Sequence, residues 1–331
     1  MSNKEIEKYV VSKPIYEAGA PGVKGRQHPT MTMMSDKQVP GCEYYIELGW
    51  IYDIPSPNPH IHEHVHNYDE IVLHWGGDWE RPQVLGGEIT FYVGGQPITF
   101  NTTTAIYIPK GTPHGPLIWN KFEFPHVEMA FMLGTGDIFE GWGESGLGVV
   151  KKGLPVKRGK IDYEQYVIRS PMRESPGAIS GKGRQSPTMT YMSEVQIPGV
   201  KIYIEFGWIW EVTDTIREMK HDKFDEIVMH LGSDPKNPED LGADMTFGLG
   251  GEEMRFNKNY SMYIPKGVTH GPLIWHKVRR PHIEMAIMLG AGTLKDGWGS
   301  DMLDITRTRM AKERGEKVPP MPWERPDESK K

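Results

Sequence analysis

Tyr107-Ile-Pro-Lys-Gly-Thr-Pro-His-Gly-Pro-Leu-Ile-Trp119 returns later in the chain as Tyr263-Ile-Pro-Lys-Gly-Val-Thr-His-Gly-Pro-Leu-Ile-Trp275. Two earlier stretches repeat in the same order. Gly25-Arg-Gln-His-Pro-Thr-Met-Thr-Met-Met-Ser35 recurs as Gly183-Arg-Gln-Ser-Pro-Thr-Met-Thr-Tyr-Met-Ser193, and Tyr45-Ile-Glu-Leu-Gly-Trp-Ile51 as Tyr203-Ile-Glu-Phe-Gly-Trp-Ile209. The chain is a tandem duplication, so the fold is one unit used twice. From Tyr45 to Tyr203 the offset is 158, and from Asp69 to Asp225 it is 156, so a net two residues are missing between Trp208 and Asp225.

Within each unit the apolar runs are short and rich in β-branched and aromatic residues: Tyr44 to Ile51, Ile71 to Trp75, Ile89 to Val93, Ala105 to Ile108 and Val127 to Leu133. Turns at Gly76-Gly77, Gly86-Gly87 and Gly94-Gly95 separate them, while helical periodicity is scarce. Such a pattern predicts an all-β chain of two closed antiparallel barrels, with short helical or irregular terminal segments. The expected division is 1–160, 161–305, and a charged, proline-containing tail over 306–331. The methionines of Met31 to Met34 and Met129 to Met132 are expected to pack the core.

The 331 residues suit two domains, and 37% hydrophobic with 25% charged residues excludes a chain disordered throughout. With 38 basic against 44 acidic residues, a net charge of -6 gives no general attraction for nucleic acid or an anionic membrane. Cys42 is the only cysteine, which excludes an internal disulfide framework and cysteine-based zinc or iron–sulfur sites. Lys4, Glu5, Glu7 and Lys8 interrupt the first twenty residues, so neither a signal peptide nor a membrane span is expected there. A cytoplasmic protein acting on a small molecule, as a monomer or homo-oligomer, is the resulting expectation.

The densest chemical signal is His60-Ile-His-Glu-His-Val-His66, followed by Asn-Tyr-Asp-Glu70 and Ile-Val-Leu-His-Trp-Gly76. On an extended strand, side chains two apart share a face, so His64 and His66 can converge on one ion while Val65 points away. Glu70 then needs only a tight turn to join them, and His114, on a Pro/Gly turn, is the candidate fourth ligand. The competing reading is a row of solvated histidines on a loop edge.

These residues resemble the cupin superfamily, whose first motif runs His-x-His, three or four residues, Glu, then about six to Gly. His64, His66, Glu70 and Gly76 fill it, and Pro109, Gly111 and His114 fill the second motif, Pro-x-Gly-x-x-His. Through the duplication the similarity to tandem cupins, or bicupins, extends over most of the chain. The resemblance implies two small jelly-roll barrels, with one divalent metal in the first held by His64, His66, Glu70 and His114. Mixed N and O ligands suit Fe(II) or Mn(II) first, with Ni, Co or Zn as other candidates.

In the second unit the matching stretch is Lys220-His-Asp-Lys-Phe-Asp-Glu226, where the His-x-His pair is gone. An alternative alignment leaves four residues between His221 and Glu226, an allowed motif spacing. It gives a possible second site of His221, Glu226 and His270, set against a degenerate, purely structural barrel. Several residues appear in both units: His74 with His230, His126 with His282, Glu128 with Glu284, and Arg26 with Arg184. Retention in both favours a role in the fold. His74, on the same strand face as Glu70, is a candidate catalytic residue, as is His62 at the barrel mouth, and Glu70 itself is a candidate proton carrier. Arg26 and His126 are candidate substrate-binding residues, with Arg26 either clamping a carboxylate or pairing with Glu47.

Three functions fit such a site. An oxidoreductase of the dioxygenase kind, cleaving a phenolic, enolic or dicarbonyl substrate with O₂, stands narrowly first. Oxygen-independent Lewis-acid chemistry (lyase, decarboxylase, isomerase or C–C hydrolase) is the alternative, and a non-enzymatic metal- or ligand-binding barrel is the third.

Overall fold

Residues 3–19, 21–139, 161–174 and 182–298, with positions 308, 311, 312, 315, 317 and 318, are described by a computed structural model. The expected boundary at residue 160 and nearly all of the expected tail, 306–331, lie outside the described residues. The chain divides into two compact units, one of Glu7–Ser170 with Asp234–Pro238, the other of Met1–Ile6, Pro171–Ser233 and Glu239–Lys331. Helix among the described residues is confined to short pieces such as Asn3–Glu7, Tyr163–Tyr166 and Leu294–Trp298. Among the described residues, no helix is long and apolar enough to cross a membrane.

The amino-terminal unit holds β2 (Ile15–Ala18), β3 (Lys24–Arg26), β4 (Thr30–Met34), β5 (Tyr44–Ser56), β6 (Asp69–Gly76), β7 (Val84–Val93), β8 (Gln96–Thr102), β9 (Thr104–Ile108), β10 (His114–Phe122), β11 (His126–Leu133) and β12 (Val167–Ile168), after a two-residue β1 at Val10–Val11. One sheet runs β12-β9-β6-β11-β5-β4-β2, with β3 against β5, and a second runs β10-β7-β8. The carboxy-terminal unit has β13 (Met189–Met192), β14 (Ile202–Ile209), β15 (Met219–Lys220), β16 (Asp225–Gly232), β17 (Asp240–Leu249), β18 (Glu252–Lys258), β19 (Tyr260–Ile264), β20 (Thr269–Val278) and β21 (His282–Leu289). Its strands β19-β16-β21-β14-β13 and β20-β17-β18 repeat the order β9-β6-β11-β5-β4 and β10-β7-β8 of the first unit, with the short β15 added beside β20.

The patterning explains the layers. In β7, Ile89, Phe91 and Val93 are buried and alternate with half-buried neighbours, and in β8 Ile98 and Phe100 are buried between exposed residues. These side chains pack with Val72, Ile106, Ile108, Leu117 and Trp119 as the core of the unit. β8 was not among the apolar runs of the sequence because Pro97 interrupts it. The strand tolerates proline because it lies on the sheet edge, where a missing N–H breaks no ladder. Met31, Met129 and Met132 are fully buried, as expected of packing residues.

One glycine places the site. Gly25 has φ +79°, and a Cβ there would lie 2.7 Å from the Ile54 carbonyl oxygen, so β3 approaches β5 too closely for any side chain. Gly183 repeats this with φ +70° and the Glu211 carbonyl oxygen at 2.8 Å. The arginine after each glycine is thereby pinned against its barrel.

Candidate metal centre and its cavity

His64 and His114 lie opposite each other, each backbone N–H donating to the other's carbonyl at 2.9 Å. Their rings inherit that proximity, with centroids 4.1 Å apart, and His66 lies 4.8 Å from His64 and 4.9 Å from His114. Glu70, at the start of β6, brings Oε2 to 3.0 Å from His114 Nε2 and 3.8 Å from His66 Nε2. One ligand atom from each of the four side chains falls within 4.8 Å of the others, and all four residues are buried.

The tautomers follow from the backbone. His64 Nδ1 lies 2.8 Å from the His62 carbonyl and His114 Nδ1 lies 2.9 Å from that of Thr112. A carbonyl can only accept, so both Nδ1 atoms carry a proton and each Nε2 is the nitrogen aimed at the cluster. Burial, with His114 and His66 adding to it, holds His64 well below the ordinary histidine range and therefore neutral. His114 Nε2 and Glu70 Oε2 are buried without a hydrogen-bond partner. A buried carboxylate facing neutral imidazole lone pairs is costly unless a cation joins them, and this donor set fits a divalent metal ion. His66 is held by stacking on Tyr68, with centroids 4.8 Å apart and rings 9° from parallel.

The cluster opens on a cavity of about 660 Å³ of empty space, part of it open to solvent. Val72, Phe91, Leu117 and Ala130 give it apolar walls, while Arg26, Thr30, Glu47, His60 and Glu128 supply polar groups. Arg26 Nη2 lies 3.4 Å from Glu128 Oε2, and Arg26 Nη1 contacts His60 Nε2. Glu47 accepts from Thr30 Oγ1 at 2.7 Å, while Arg26 pairs with Glu128. The reason lies in sheet order: β11 sits between β5 and β6, which places Glu128 opposite both Gly49 and His74. Burial pushes the Glu128 carboxyl up; the Arg26 charge opposes this and the Glu70 charge adds to it. Burial, then the Arg26 charge, pushes His60 down to about 3.

Not every candidate reaches the cavity. His62 is exposed and contributes only its carbonyl, to His64. His74 is fully buried against Phe100 and Trp119 and does not line the cavity. His126 is also outside the lining: its Nε2 accepts from Trp119 Nε1 at 3.0 Å, and burial lowers it to about 4. The same pair recurs as Trp275 Nε1 on His282 Nε2 at 3.1 Å, with His282 lowered to about 3 by burial. Both are neutral acceptors that tie two strands together. Glu128 was the residue least legible in advance, marked only by its doubling as Glu284.

The carboxy-terminal unit resolves the alignment of its own site. The Gly111 N–H donates to the His66 carbonyl at 2.9 Å and the Gly267 N–H to the His221 carbonyl at 2.6 Å, so His221 stands where His66 does. Met219 pairs with His270 as His64 pairs with His114, and therefore replaces the first histidine. His221, Glu226 and His270 come together, with Nε2 atoms 3.6 and 3.1 Å from Glu226 Oε2 and all three residues buried. Burial alone would raise Glu226, but the His270 hydrogen bond and charge, then that of His221, outweigh it and lower the carboxyl. Arg184 lies 2.8 Å from Glu284 over a cavity of about 550 Å³. Restoring the fourth side chain with Met219→His is expected to tighten metal binding there at least about tenfold. Chelator competition in a background lacking the amino-terminal ligands reads this directly, and an unchanged affinity would mean position 219 does not face the cluster.

No family model matches the chain, and no curated protein matches its sequence. Solved structures do match its fold. AerE from Microcystis aeruginosa aligns at TM-score 0.50 and 13% identity over 85% of this chain and 99% of that one. A deletion mutant of Bacillus subtilis oxalate decarboxylase aligns at TM-score 0.51 and 11% identity over 92% and 82%. Vicilin from hazelnut, Corylus avellana, aligns at TM-score 0.50 and 11% identity over 93% and 97%. At such identities the likeness is one of fold. Two antiparallel units that share a common strand order in one chain, matching these structures along most of its length, give this protein the fold of two tandem cupin-type β-barrels.

Proposed function

We propose that the amino-terminal barrel is a mononuclear metal-dependent enzyme acting on a small oxygenated anion. The observation carrying this reading is the buried Glu70 Oε2 and His114 Nε2, neither with a hydrogen-bond partner, at the wall of a partly open cavity. His64, His66, Glu70 and His114 would hold the ion, with Fe(II) or Mn(II) as first candidates. When bound, it supplies a positive centre that polarises an oxygen of the substrate, and with Fe(II) a centre for O₂ chemistry. Arg26 attracts and orients the anion, while Val72, Phe91, Leu117 and Ala130 exclude water. Glu128, whose carboxyl burial pushes up against the pull of Arg26, is the group placed to hand over a proton.

That buried proton donor favours the oxygen-independent reading, a decarboxylase- or lyase-type reaction in which a C–C bond breaks and carbon takes up a proton. It is the class of reaction that oxalate decarboxylase has by name. Oxidation by O₂ is the second reading, favoured by the four apolar wall residues that leave nonpolar room beside the cluster. The two separate in sealed vessels. Protein loaded with Mn(II) or Fe(II) and offered small dicarboxylates, 2-oxo acids and enols is expected to consume one of them under nitrogen. Consumption that tracks oxygen uptake overturns that order, and metal loading without turnover on any of these substrates sinks the enzymatic reading.

A further inference from the structure

Three polar atoms of the amino-terminal cavity residues are buried, lie outside the four-residue cluster and have no hydrogen-bond partner: Arg26 Nε, His60 Nδ1 and Glu128 Oε2. Their protonation follows from elementary chemistry. Arginine can only donate, so its contact with His60 Nε2 makes that nitrogen an acceptor, and a neutral imidazole then carries its proton on Nδ1. Arg26 Nε is protonated at every accessible pH. The cavity thus contains two buried donors with nothing to donate to, a condition proteins rarely tolerate without a ligand or ordered water.

His60 is also held firmly. Asn58 Nδ2 donates to the Trp119 carbonyl at 2.8 Å, and the Trp119 N–H returns a bond to Asn58 Oδ1 at 3.1 Å. On the other side the Leu117 N–H donates to the Ile61 carbonyl at 3.2 Å. Between these anchors the His60 ring stacks on Trp119, with centroids 5.1 Å apart and planes at 26°. In the carboxy-terminal unit Ile216 bridges Leu273 as Ile61 bridges Leu117, and the residue before it is Thr215. The imidazole donor therefore belongs to the first cavity alone, although the arginine and its glutamate partner occur in both.

We propose that Arg26 Nε–H and His60 Nδ1–H together bind a second oxygen group of the substrate, so that the cavity selects small anions with oxygen acceptors at two separate positions. One position serves the ion and the other serves this donor pair. Glu128, beside Arg26, fixes the guanidinium, and His60 is the specificity-determining member. The inference rests on the proposed use of this cavity as a substrate site.

The test uses the full chain loaded with Mn(II), titrated calorimetrically with malonate, which has two carboxylates, and acetate, which has one. The parent is expected to bind malonate at least about tenfold more tightly. His60→Phe keeps a ring on Trp119 but removes both nitrogens. It should weaken malonate about tenfold and leave acetate within about twofold, with Mn(II) content unchanged. His60→Gln, whose amide can accept from Arg26 and donate beyond it, should recover part of the loss. Equal malonate affinity in the parent and in His60→Phe, at equal Mn(II) content, overturns the proposal and leaves the cavity reading standing, because water then satisfies the donors. A parent that loads Mn(II) yet binds neither anion removes the substrate-site reading and the proposal with it.

Discussion

Alanine at both His64 and His114 empties the amino-terminal cavity of metal: elemental analysis should show about one ion per chain lost relative to the parent, and affinity at that site falls by at least about a hundredfold. Catalysis should fall by about a thousandfold or more, because the ion supplies the polarising charge. The barrel itself should persist, since Ile89, Phe91, Ile98, Phe100 and Trp119 form a core to which neither histidine belongs, with only Phe91 of these edge-on to the His114 ring. Whatever metal the double mutant retains belongs to His221, Glu226 and His270, so the same measurement counts the second site. Full retention in the variant would break the ligand assignment. Circular dichroism of both proteins separates loss of metal from loss of fold.

The second large effect is acid sensitivity. His126 is lowered to about 4 and His282 to about 3, both by burial, against an ordinary value of 6.5. Between about pH 6.5 and 4 the unfolded chain therefore binds protons that the folded chain refuses. Stability is fully present above pH 6.5 and is lost as the pH falls, at up to roughly 1.4 kcal/mol per pH unit for each such histidine. His60, His64, His74 and His230 are lowered as well and act in the same sense. Glu128 and Glu284, raised by burial, act oppositely: their contribution is present at low pH and fades as the pH rises. With His221 also lowered and Glu174 also raised, seven histidines against three carboxyls decide the sign. Thermal midpoints taken between pH 7.5 and 4.5 should fall steeply, with a shallower fall in His126→Phe. A flat profile would mean these imidazoles are not held neutral.

Much of the fold was legible because the duplication doubled every signal and because strand alternation is a local property. His64, His66, Glu70 and His114 could be grouped because their spacing resembles the two cupin motifs, each of which spans only a few residues around a turn. Alternation gives no guidance at His60 and His62. Between β5 and β6 the chain is irregular, with isolated bridges at Ile61 and His64, so parity does not carry across it and the earlier histidine turns inward while His62 faces solvent. Partners of Arg26 were illegible for another reason. Glu128 reaches it only because β11 inserts between β5 and β6, a fact of sheet order that no local pattern records. In the second unit the net deficit of two residues concealed a larger deletion followed by a one-residue insertion. The backbone bond from Gly267 to His221 reveals it.

The short bonds from His64 to the carbonyl of residue 62 and from His114 to that of residue 112 have a kinetic meaning. Each ring takes its orientation from backbone two positions earlier, so the ligands are aimed once their own turns have formed, whether or not an ion has arrived. Loading then requires little rearrangement. Exchange of one ion for another should be governed by how fast solvent and ions cross the mouth, which makes the occupant of this cavity answerable to the supply of metals around the finished protein.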